Sequence, residues 1–256
     1  MPERRLDGHA VLFVHGIGGG GRAWAGQLAS FRAAGLFPMA PDLPGYGGRP
    51  AVAKLDFEGL AENVETFIAK SRVDRPVLVG HSMGGMIAQT LLRRRRDGYS
   101  AAVLACTSPA FGNADGGFQK TFVADRLGPL DAGKTMADLA PSLVDRMMGP
   151  QPDQAGRALA IAIMSAVPAD TYRAAVRCLV AFDERANLAR IGVPVLCLVG
   201  EADPNAPAPV VERMAGKIPG ARYVCLPGVG HLPNLEAPAA FDATVLDFLQ
   251  QVRSHP

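Results

Sequence analysis

One serine, set between glycines at the end of a buried apolar run, constrains this chain of 256 residues more than any other feature. Gly80-His81-Ser82-Met83-Gly84 directly follows Pro76-Val77-Leu78-Val79 and leads straight into a helical pattern. A serine on so sharp a strand-to-helix turn needs a strained backbone, and glycines two residues away let the strand and the helix approach closely. The turn therefore predicts a Ser82 hydroxyl exposed above the carboxyl edge of a sheet.

Apolar runs rich in β-branched residues recur along the chain, and we interpret them as strands buried on both faces. Helical periodicity of 3.6 residues separates them, for example at 60–68 after a predicted Asp56 cap and again at 241–252. Strands that alternate with helices predict an α/β fold with a mostly parallel, doubly wound sheet. The predicted strands cover residues 10–14, 77–79, 101–106, 195–199 and 223–226.

The alternation stops between residues 112 and 187, where glycine, proline and aspartate interrupt helical stretches at 136–148, 155–164 and 170–179. We interpret 112–187 as an α-helical cap inserted into a core formed by residues 1–111 and 188–256. Methionines are frequent in this cap, which suits an adaptable apolar cover, although ordinary helix packing explains most of its apolar side chains.

Composition excludes several classes of protein. Hydrophobic residues make up 48% of the chain and the net charge is only +2, which excludes a disordered chain and a nucleic-acid footprint. The polar N-terminus and the short run after it predict neither a signal peptide nor a membrane span, so a cytoplasmic protein is expected. The 4 cysteines lack C-x-x-C spacing, so no metal site is predicted.

A serine hydroxyl is a weak nucleophile unless a histidine held by an acid removes its proton. Of the 5 histidines, His231 follows the last predicted strand in Gly228-Val229-Gly230-His231 and is the candidate base. His15 and His81 lie in glycine-rich turns, where steric placement and backbone hydrogen bonds are the expected roles. A purely structural role is the alternative for His231.

Asp203 is the candidate for the orienting acid because it follows the predicted strand 195–199 in Gly200-Glu201-Ala202-Asp203. Glu201 is its close rival, and a simple cap on the helix near Pro207 is the other role open to Asp203. The chain order Ser82, Asp203, His231 is the order of a Ser–Asp–His triad on an α/β sheet.

The tetrahedral intermediate of acyl transfer needs N–H donors aimed at its oxyanion. We expect one from the backbone of Met83, directly after the serine. The second should come from the loop after the first strand, where the backbone of Ile17 is favoured and that of Gly18 is the alternative.

The same loop also fits the dinucleotide pattern G-x-G-x-x-G through Gly16, Gly18 and Gly21, with Asp42 placed 21 residues later. A nicotinamide enzyme has no reason to carry the serine turn, Asp203 and His231 in this order. We therefore expect no cofactor, and we interpret the glycines as a flexible loop that lets a substrate approach the backbone.

The chain resembles the α/β-hydrolase superfamily over nearly its whole length, with an α/β-hydrolase fold implied. One set of motifs carries this resemblance. A second set is similar to motifs of 3-oxoadipate enol-lactonases and small carboxylesterases. The first set comprises His15-Gly16, Asp42-Leu43-Pro44-Gly45-Tyr46-Gly47, Gly80 to Gly85, Leu198-Val199-Gly200 with Asp203, and Gly230-His231. The second comprises Phe182-Asp183, Gly192-Val193-Pro194, Ile218-Pro219-Gly220-Ala221-Arg222 and Asn234-Leu235-Glu236.

The resemblance also separates this chain from some relatives. Haloalkane dehalogenases use aspartate at the position of Ser82, and carbon–carbon bond hydrolases usually carry tryptophan at the position of Leu232. Enol-lactonases usually lack the pair His15-Gly16, which is common in carboxylesterases, so a small ester is as plausible a substrate as a lactone.

We therefore expect a serine hydrolase that cleaves carboxylic esters or lactones of small to medium acyl groups through an acyl-enzyme on Ser82. The substrate pocket should include Trp24, Leu232 and, from the cap, Met148. A small-molecule ester or lactone is the expected ligand, with no nucleic-acid or membrane partner, and a homodimer stays open because many cap-bearing hydrolases dimerise. The alternatives are a non-catalytic or slow small-ligand receptor and a cofactor-free perhydrolase or haloperoxidase.

Any anionic substrate would need a cation that faces inward, because basic and acidic residues balance within the cap. Arg126, Arg146 and Arg173 are the candidates for binding a carboxylate.

Overall fold

The computed structural model describes residues 9–112 and 116–254. Six strands form one sheet in the order β2-β1-β3-β4-β5-β6, and every neighbouring pair is parallel, which confirms the predicted α/β fold with a mostly parallel sheet. The strands are β1 (Ala10–Val14), β2 (Phe37–Met39), β3 (Val77–His81), β4 (Ala102–Ala105), β5 (Val195–Gly200) and β6 (Arg222–Leu226).

Alternate side chains of the central strands enter two separate apolar cores, one on each face of the sheet. In β1, Leu12 and Val14 belong to one core, whereas Val11 and Phe13 belong to the other. Strands buried on both faces are therefore continuous apolar runs, as their sequences indicated.

Helices cover both faces. On the face of Leu12 lie α2 (Phe57–Ser71), α3 (Met83–Arg94) and α8 (Ala208–Ala215). On the opposite face lie α1 (Ala25–Ala33) and α10 (Pro238–Ser254). The side chain of Asp56 accepts a hydrogen bond from the N–H of Gly59, so the predicted cap of α2 is present.

Four helices lie between β4 and β5, all inside residues 112–187, and the assignment of this segment as a cap domain stays a prediction. Shorter helical segments are the 3-10 turns Gly21–Trp24 and Arg185–Arg190 and the helix α9 (Pro233–Glu236). The four helices are α4 (Gly117–Asp131), α5 (Met136–Met147), α6 (Gln154–Ser165) and α7 (Ala169–Leu179).

Sequence periodicity missed β2, a three-residue strand at the edge of the sheet that contains Pro38. Proline lacks the N–H that a central strand needs, so such a strand gives little signal. The order β2-β1-β3 means that the chain reverses direction across the sheet between β1 and β3, and the loops that follow these two strands therefore lie beside a crevice. None of the helices in the described ranges is long and apolar enough to span a bilayer.

Candidate active site

Ser82 occupies a strained turn between β3 and α3, with φ 54° and ψ −118°. This backbone conformation is unfavourable for a residue with a side chain, so the surrounding structure has to hold it. Two hydrogen bonds do so: the Ser82 N–H donates to the carbonyl of Ala105 at 2.9 Å, and the Thr107 hydroxyl donates to the carbonyl of Ser82, also at 2.9 Å.

The glycines on either side of the turn are required by close backbone contacts. A Cβ on Gly80 would lie 2.3 Å from the carbonyl oxygen of Gly84, and a Cβ on Gly84 would lie 2.0 Å from the carbonyl oxygen of Val14. Both distances are far below van der Waals contact, so β1, β3 and α3 can approach one another this closely only around glycine.

Ser82, His231 and Asp203 form a continuous chain of hydrogen bonds. Nδ1 of His231 lies 2.9 and 2.8 Å from the two carboxylate oxygens of Asp203, and Nε2 lies 3.0 Å from Oγ of Ser82. Because Nδ1–H donates to the carboxylate, Nε2 is left to accept the serine proton. This arrangement can remove a proton from the hydroxyl as it attacks an electrophile.

The Asp203 carboxylate is fully buried, and its surroundings still favour the charged form. Burial opposes ionisation, but the adjacent His231 and the backbone N–H groups of Ala206 and Asn205 outweigh it and hold the pKa of Asp203 below its ordinary value. The rival Glu201 is exposed and accepts a hydrogen bond from the N–H of Gly228 at 2.9 Å. Asp203 and not Glu201 therefore faces the imidazole.

His81 supports His231 from behind. Its Nε2 donates to the backbone carbonyl of His231 at 2.6 Å, and the two ring centroids are 5.1 Å apart. Burial, followed by the proximity of His231, lowers the pKa of His81 to about 3, so this ring is neutral. His81 thus has the backbone hydrogen-bonding role that its position in a glycine-rich turn predicted.

His15 fixes the loop after β1. Its Nε2 accepts the N–H of Leu43 at 3.0 Å, and its Nδ1 therefore donates to the carbonyl of Gly16 at 2.9 Å. Burial lowers the pKa of His15 to about 4, which keeps the ring neutral. Tyr46 packs edge-on against this ring and donates from its hydroxyl to the carbonyl of Ile17 at 3.0 Å.

The loop after β1 lies directly against Ser82. A Cβ on Gly16 would be 3.1 Å from the Cβ of Ser82. Among the described residues, the backbone N–H groups of Ile17, Gly18 and Met83 have no protein acceptor. Met83 is the first residue of α3, where a free N–H and the positive end of the helix dipole coincide. Free donors thus flank the serine hydroxyl.

In a dinucleotide-binding protein, an acidic residue at the position of Asp42 would bind a ribose hydroxyl. Here the Asp42 side chain binds the protein's own backbone. Its Oδ1 accepts a hydrogen bond from the N–H of Gly21 at 2.7 Å. A Cβ on Gly21 would lie 2.3 Å from the carbonyl oxygen of Ala40, so this glycine serves close backbone packing. The contacts of the loop therefore explain its glycines and its aspartate as structural features.

Glu236 holds the loop that carries His231, a role that sequence reasoning missed. Its buried carboxylate accepts backbone N–H groups on both sides of the histidine, from Gly230 at 2.8 Å and from Leu232 at 2.7 Å. The same carboxylate accepts the N–H of Gly149 at 2.7 Å. The only sequence signal was the motif Asn234-Leu235-Glu236 of the family resemblance.

Two cavities meet at the serine. The smaller is mostly apolar and takes in the predicted pocket residues Trp24 and Leu232. The predicted Met148 is not among the lining residues of either cavity, and its neighbour Met147 lines both. Helix α5 ends at Met147, and Met148 leaves the helix in an extended conformation and packs on the apolar core. Sequence places the end of this helix only within a residue or two, and the role of Met148 in the pocket stays a prediction.

The larger cavity has a volume of about 620 Å³ and extends from Ser82 and His231 beneath the helices α4 and α5. Three phenylalanines in mutual contact line part of it, and Arg126 lines both cavities. The phenylalanines are Phe111, Phe118 and Phe122.

One set of three metal-ligating side chains occurs among the described residues. Ligand atoms of His81, Cys106 and His231 lie within 4.8 Å of one another. Both nitrogens of His231 and Nε2 of His81 already take part in the hydrogen bonds described above, and burial raises the pKa of the Cys106 thiol. Hydrogen bonding within the site therefore accounts for this cluster.

Comparison with known proteins agrees with this geometry. The model of the alpha/beta hydrolase family matches residues 11–244. A pimeloyl-[acyl-carrier protein] methyl ester esterase of Neisseria meningitidis is 27% identical over an aligned length of 263 residues, and the match covers 96% of this chain and 78% of that protein.

Solved structures give the same result for the fold. The enol-lactonase of Burkholderia xenovorans LB400 superposes with a TM-score of 0.84 at 25% identity and covers 94% of this chain and 91% of its own. A bromoperoxidase from Bacillus anthracis superposes with a TM-score of 0.87, and the match covers 96% of this chain and 93% of that structure. Its identity of 17% shows the fold alone.

Proposed function

Because the chain belongs to the alpha/beta hydrolase family, we propose that it is a serine hydrolase that cleaves carboxylic esters or lactones of small to medium acyl groups. The observation that carries the proposal is the hydrogen-bonded chain from Ser82 through His231 to Asp203, with Ser82 held at φ 54° beside free N–H donors. The esterase and enol-lactonase among its relatives support the substrate class.

Acylation begins when Oγ of Ser82 attacks the ester carbonyl carbon and His231 Nε2 takes the serine proton. The imidazolium that forms is stabilised by the Asp203 carboxylate, which also holds the ring in the productive tautomer. Collapse of the tetrahedral intermediate breaks the bond to the alcohol oxygen, and His231 returns the proton to that oxygen. The acyl group is then an ester of Ser82.

The oxyanion of the intermediate accepts hydrogen bonds from the backbone N–H of Met83 and from that of Ile17, with Gly18 as the alternative donor. Such a donor lowers the barrier by about 3–4 kcal/mol when it is fixed in advance. His15 and Tyr46 fix this loop through the contacts described above. In the second half-reaction, water gives its proton to His231 and attacks the acyl-enzyme, and His231 then returns the proton to Ser82.

A direct test is the hydrolysis of p-nitrophenyl esters from acetate to decanoate, with simple lactones followed by a pH indicator. Ser82→Ala should lower turnover by roughly 10⁴- to 10⁶-fold without unfolding the protein. Ser71→Ala is the matched control, since that hydroxyl bonds only to the Phe67 carbonyl of its own helix, and this variant should retain wild-type rates.

A fluorophosphonate probe provides a test that needs no substrate. It should label the peptide that contains Ser82, as read by mass spectrometry, and Ser82→Ala should abolish the label. Undiminished hydrolysis by clean Ser82→Ala protein would overturn the proposal. No hydrolysis of any ester and no label would favour the alternative of a small-ligand receptor.

A further inference from the structure

We propose that the substrate of this site carries a carboxylate, which Arg126 binds beside the reacting ester or lactone. This inference rests on the proposed function and narrows its substrate class. It follows from the position of one guanidinium, from the charges around it and from the contrast between the two cavities.

Arg126 lies where the two cavities meet. Five residues line both cavities, and Arg126 is the only arginine, lysine or carboxylate among them. The set consists of Ile17, Ser82, Arg126, Met147 and His231. A group bound to the guanidinium therefore shares its space with the proposed nucleophile and base.

The guanidinium has weak partners within the protein. Its nitrogens lie 3.5 Å from the hydroxyl of Tyr172 and 3.5 Å from Oδ1 of Asn205, both at the limit of a hydrogen bond. Its carbon lies 5.1 Å from the ring centroid of Phe122, which orients the group without neutralising it. In the described part of the chain, no carboxylate forms an ion pair with it.

The other arginines of this region differ in this respect. Arg173 lies outside both cavity linings and pairs with Asp131 and Asp170, each at 3.3 Å. Arg146 lines the larger cavity but is exposed. Of the three arginines predicted as carboxylate ligands, Arg126 alone lines both cavities. It is partly buried, and none of the described residues forms an ion pair with it.

The charges around the larger cavity favour an anion. Its lining contains Arg126, Lys134 and Arg146 against the single carboxylate of Asp125. The smaller cavity, in contrast, is closed by apolar side chains such as Ile163, Met164 and Leu235. A substrate with an apolar part on one side of the scissile bond and an anionic part on the other would place the apolar part in the smaller cavity and the anionic part in the larger one.

A planar guanidinium binds the two oxygens of a carboxylate side by side, which is why we name this group. Phosphonate oxygens present similar acceptors and give a second arm of the test. The probes are methyl esters of straight-chain acids from four to eight carbons that end in a methyl group, a carboxylate or a phosphonate. Acetates of ω-hydroxy acids place the carboxylate on the alcohol side instead.

Wild-type protein should hydrolyse one carboxylate series with a kcat/KM at least 10-fold above that of the neutral esters. Arg126→Met should lower this kcat/KM by about 10- to 100-fold, the effect of losing a charge-assisted hydrogen bond, and should abolish the preference for the carboxylate series over the neutral esters. Arg126→Lys should recover part of the loss. Arg173→Met, which removes a cation outside the site, should change neither series.

Binding can be measured without turnover because Trp24 is the single tryptophan of the chain and lines the smaller cavity. Titration with adipate should change its fluorescence, with a Kd at least 10-fold weaker in Arg126→Met. Equal affinity in both proteins, or no binding by the wild type, overturns the inference, as does a phosphonate series that outperforms both carboxylate series.

The two proposals fail in different ways. If the protein hydrolyses neutral esters and shows no preference for carboxylates, carboxylate binding by Arg126 is overturned and the proposed hydrolase function stands. Adipate binding that depends on Arg126, without hydrolysis and without label on Ser82, removes the proposed function and keeps the anion site.

Discussion

His81 donates a 2.6 Å hydrogen bond to the backbone carbonyl of His231, so the residue before the proposed nucleophile positions the proposed base. The bond joins β3 to the loop that follows β6, across the carboxyl edge of the sheet. It fixes the position of the loop that carries His231 relative to the turn that carries Ser82.

Replacing His81 with leucine should therefore lower both stability and turnover. A buried carbonyl without a donor costs about 1–3 kcal/mol, and the free energy of unfolding, measured by urea titration, should fall by that amount. Turnover of a p-nitrophenyl ester should fall by about 10-fold or more because His231 is less firmly placed. Unchanged kcat in a destabilised variant would mean that His81 only supports the fold.

Asp203→Asn should lower kcat by about 10⁴-fold, because the amide no longer holds His231 in the tautomer that accepts the serine proton. Glu201→Gln is the matched control, since Glu201 is exposed and bonds only to the backbone of Gly228. The rates of both variants on one p-nitrophenyl ester decide the matter. A larger loss in Glu201→Gln would transfer the role of the acid to that residue.

Glu236→Gln should destabilise the protein by about 1–3 kcal/mol. In the wild type both carboxylate oxygens of Glu236 accept backbone N–H groups. A glutamine has only one oxygen, so its NH₂ group would face at least one N–H that is left without an acceptor. Urea unfolding measures this loss, and Glu212→Gln on the exposed surface of α8 should stay within about 0.5 kcal/mol of the wild type. If both variants behave alike, Glu236 does not anchor the histidine loop.

Acid should destabilise the fold through His15 and His81. Burial lowers their pKa values from an ordinary 6.5 to about 4 and about 3, so between pH 6.5 and about pH 4 the unfolded chain binds more protons than the folded one. Stability should therefore fall as the pH falls through this window, by up to about 1.4 kcal/mol per pH unit for each histidine.

The pH dependence can be assigned by substitution. In His15→Asn, the slope of unfolding free energy against pH should be smaller by up to about 1.4 kcal/mol per unit, whatever the absolute stability of the variant. Urea titrations at half-unit pH intervals measure this slope. Parallel curves for the variant and the wild type would show that His15 does not titrate as its burial implies.

The sequence predicted the convergence of Ser82, Asp203 and His231 for a simple physical reason. Each follows a strand, and the carboxyl ends of parallel strands lie along one edge of the sheet. Spacing along the chain, 121 residues from the serine to the aspartate, is irrelevant once the strands are correctly identified.

Features that depend on packing between helices were beyond such reasoning. Met147 rather than Met148 lines the cavities because α5 ends between them, and a shift of one residue turns a side chain by about 100° on a helix. The position of Arg126 depends on how α4 lies over the sheet. The role of Glu236 depends on three backbone N–H groups that no periodicity reveals.

The position of four helices between β4 and β5 in the chain also has a consequence for synthesis. When β4 leaves the ribosome, its sheet partner β5 is still 89 residues away, from residue 106 to residue 194. At about 5–20 residues per second, the apolar edge of β4 waits roughly 4–18 seconds for its neighbour. His231 is translated later still. The nascent chain therefore carries an open strand edge until β5 has emerged, and a serine without its base until His231 has followed.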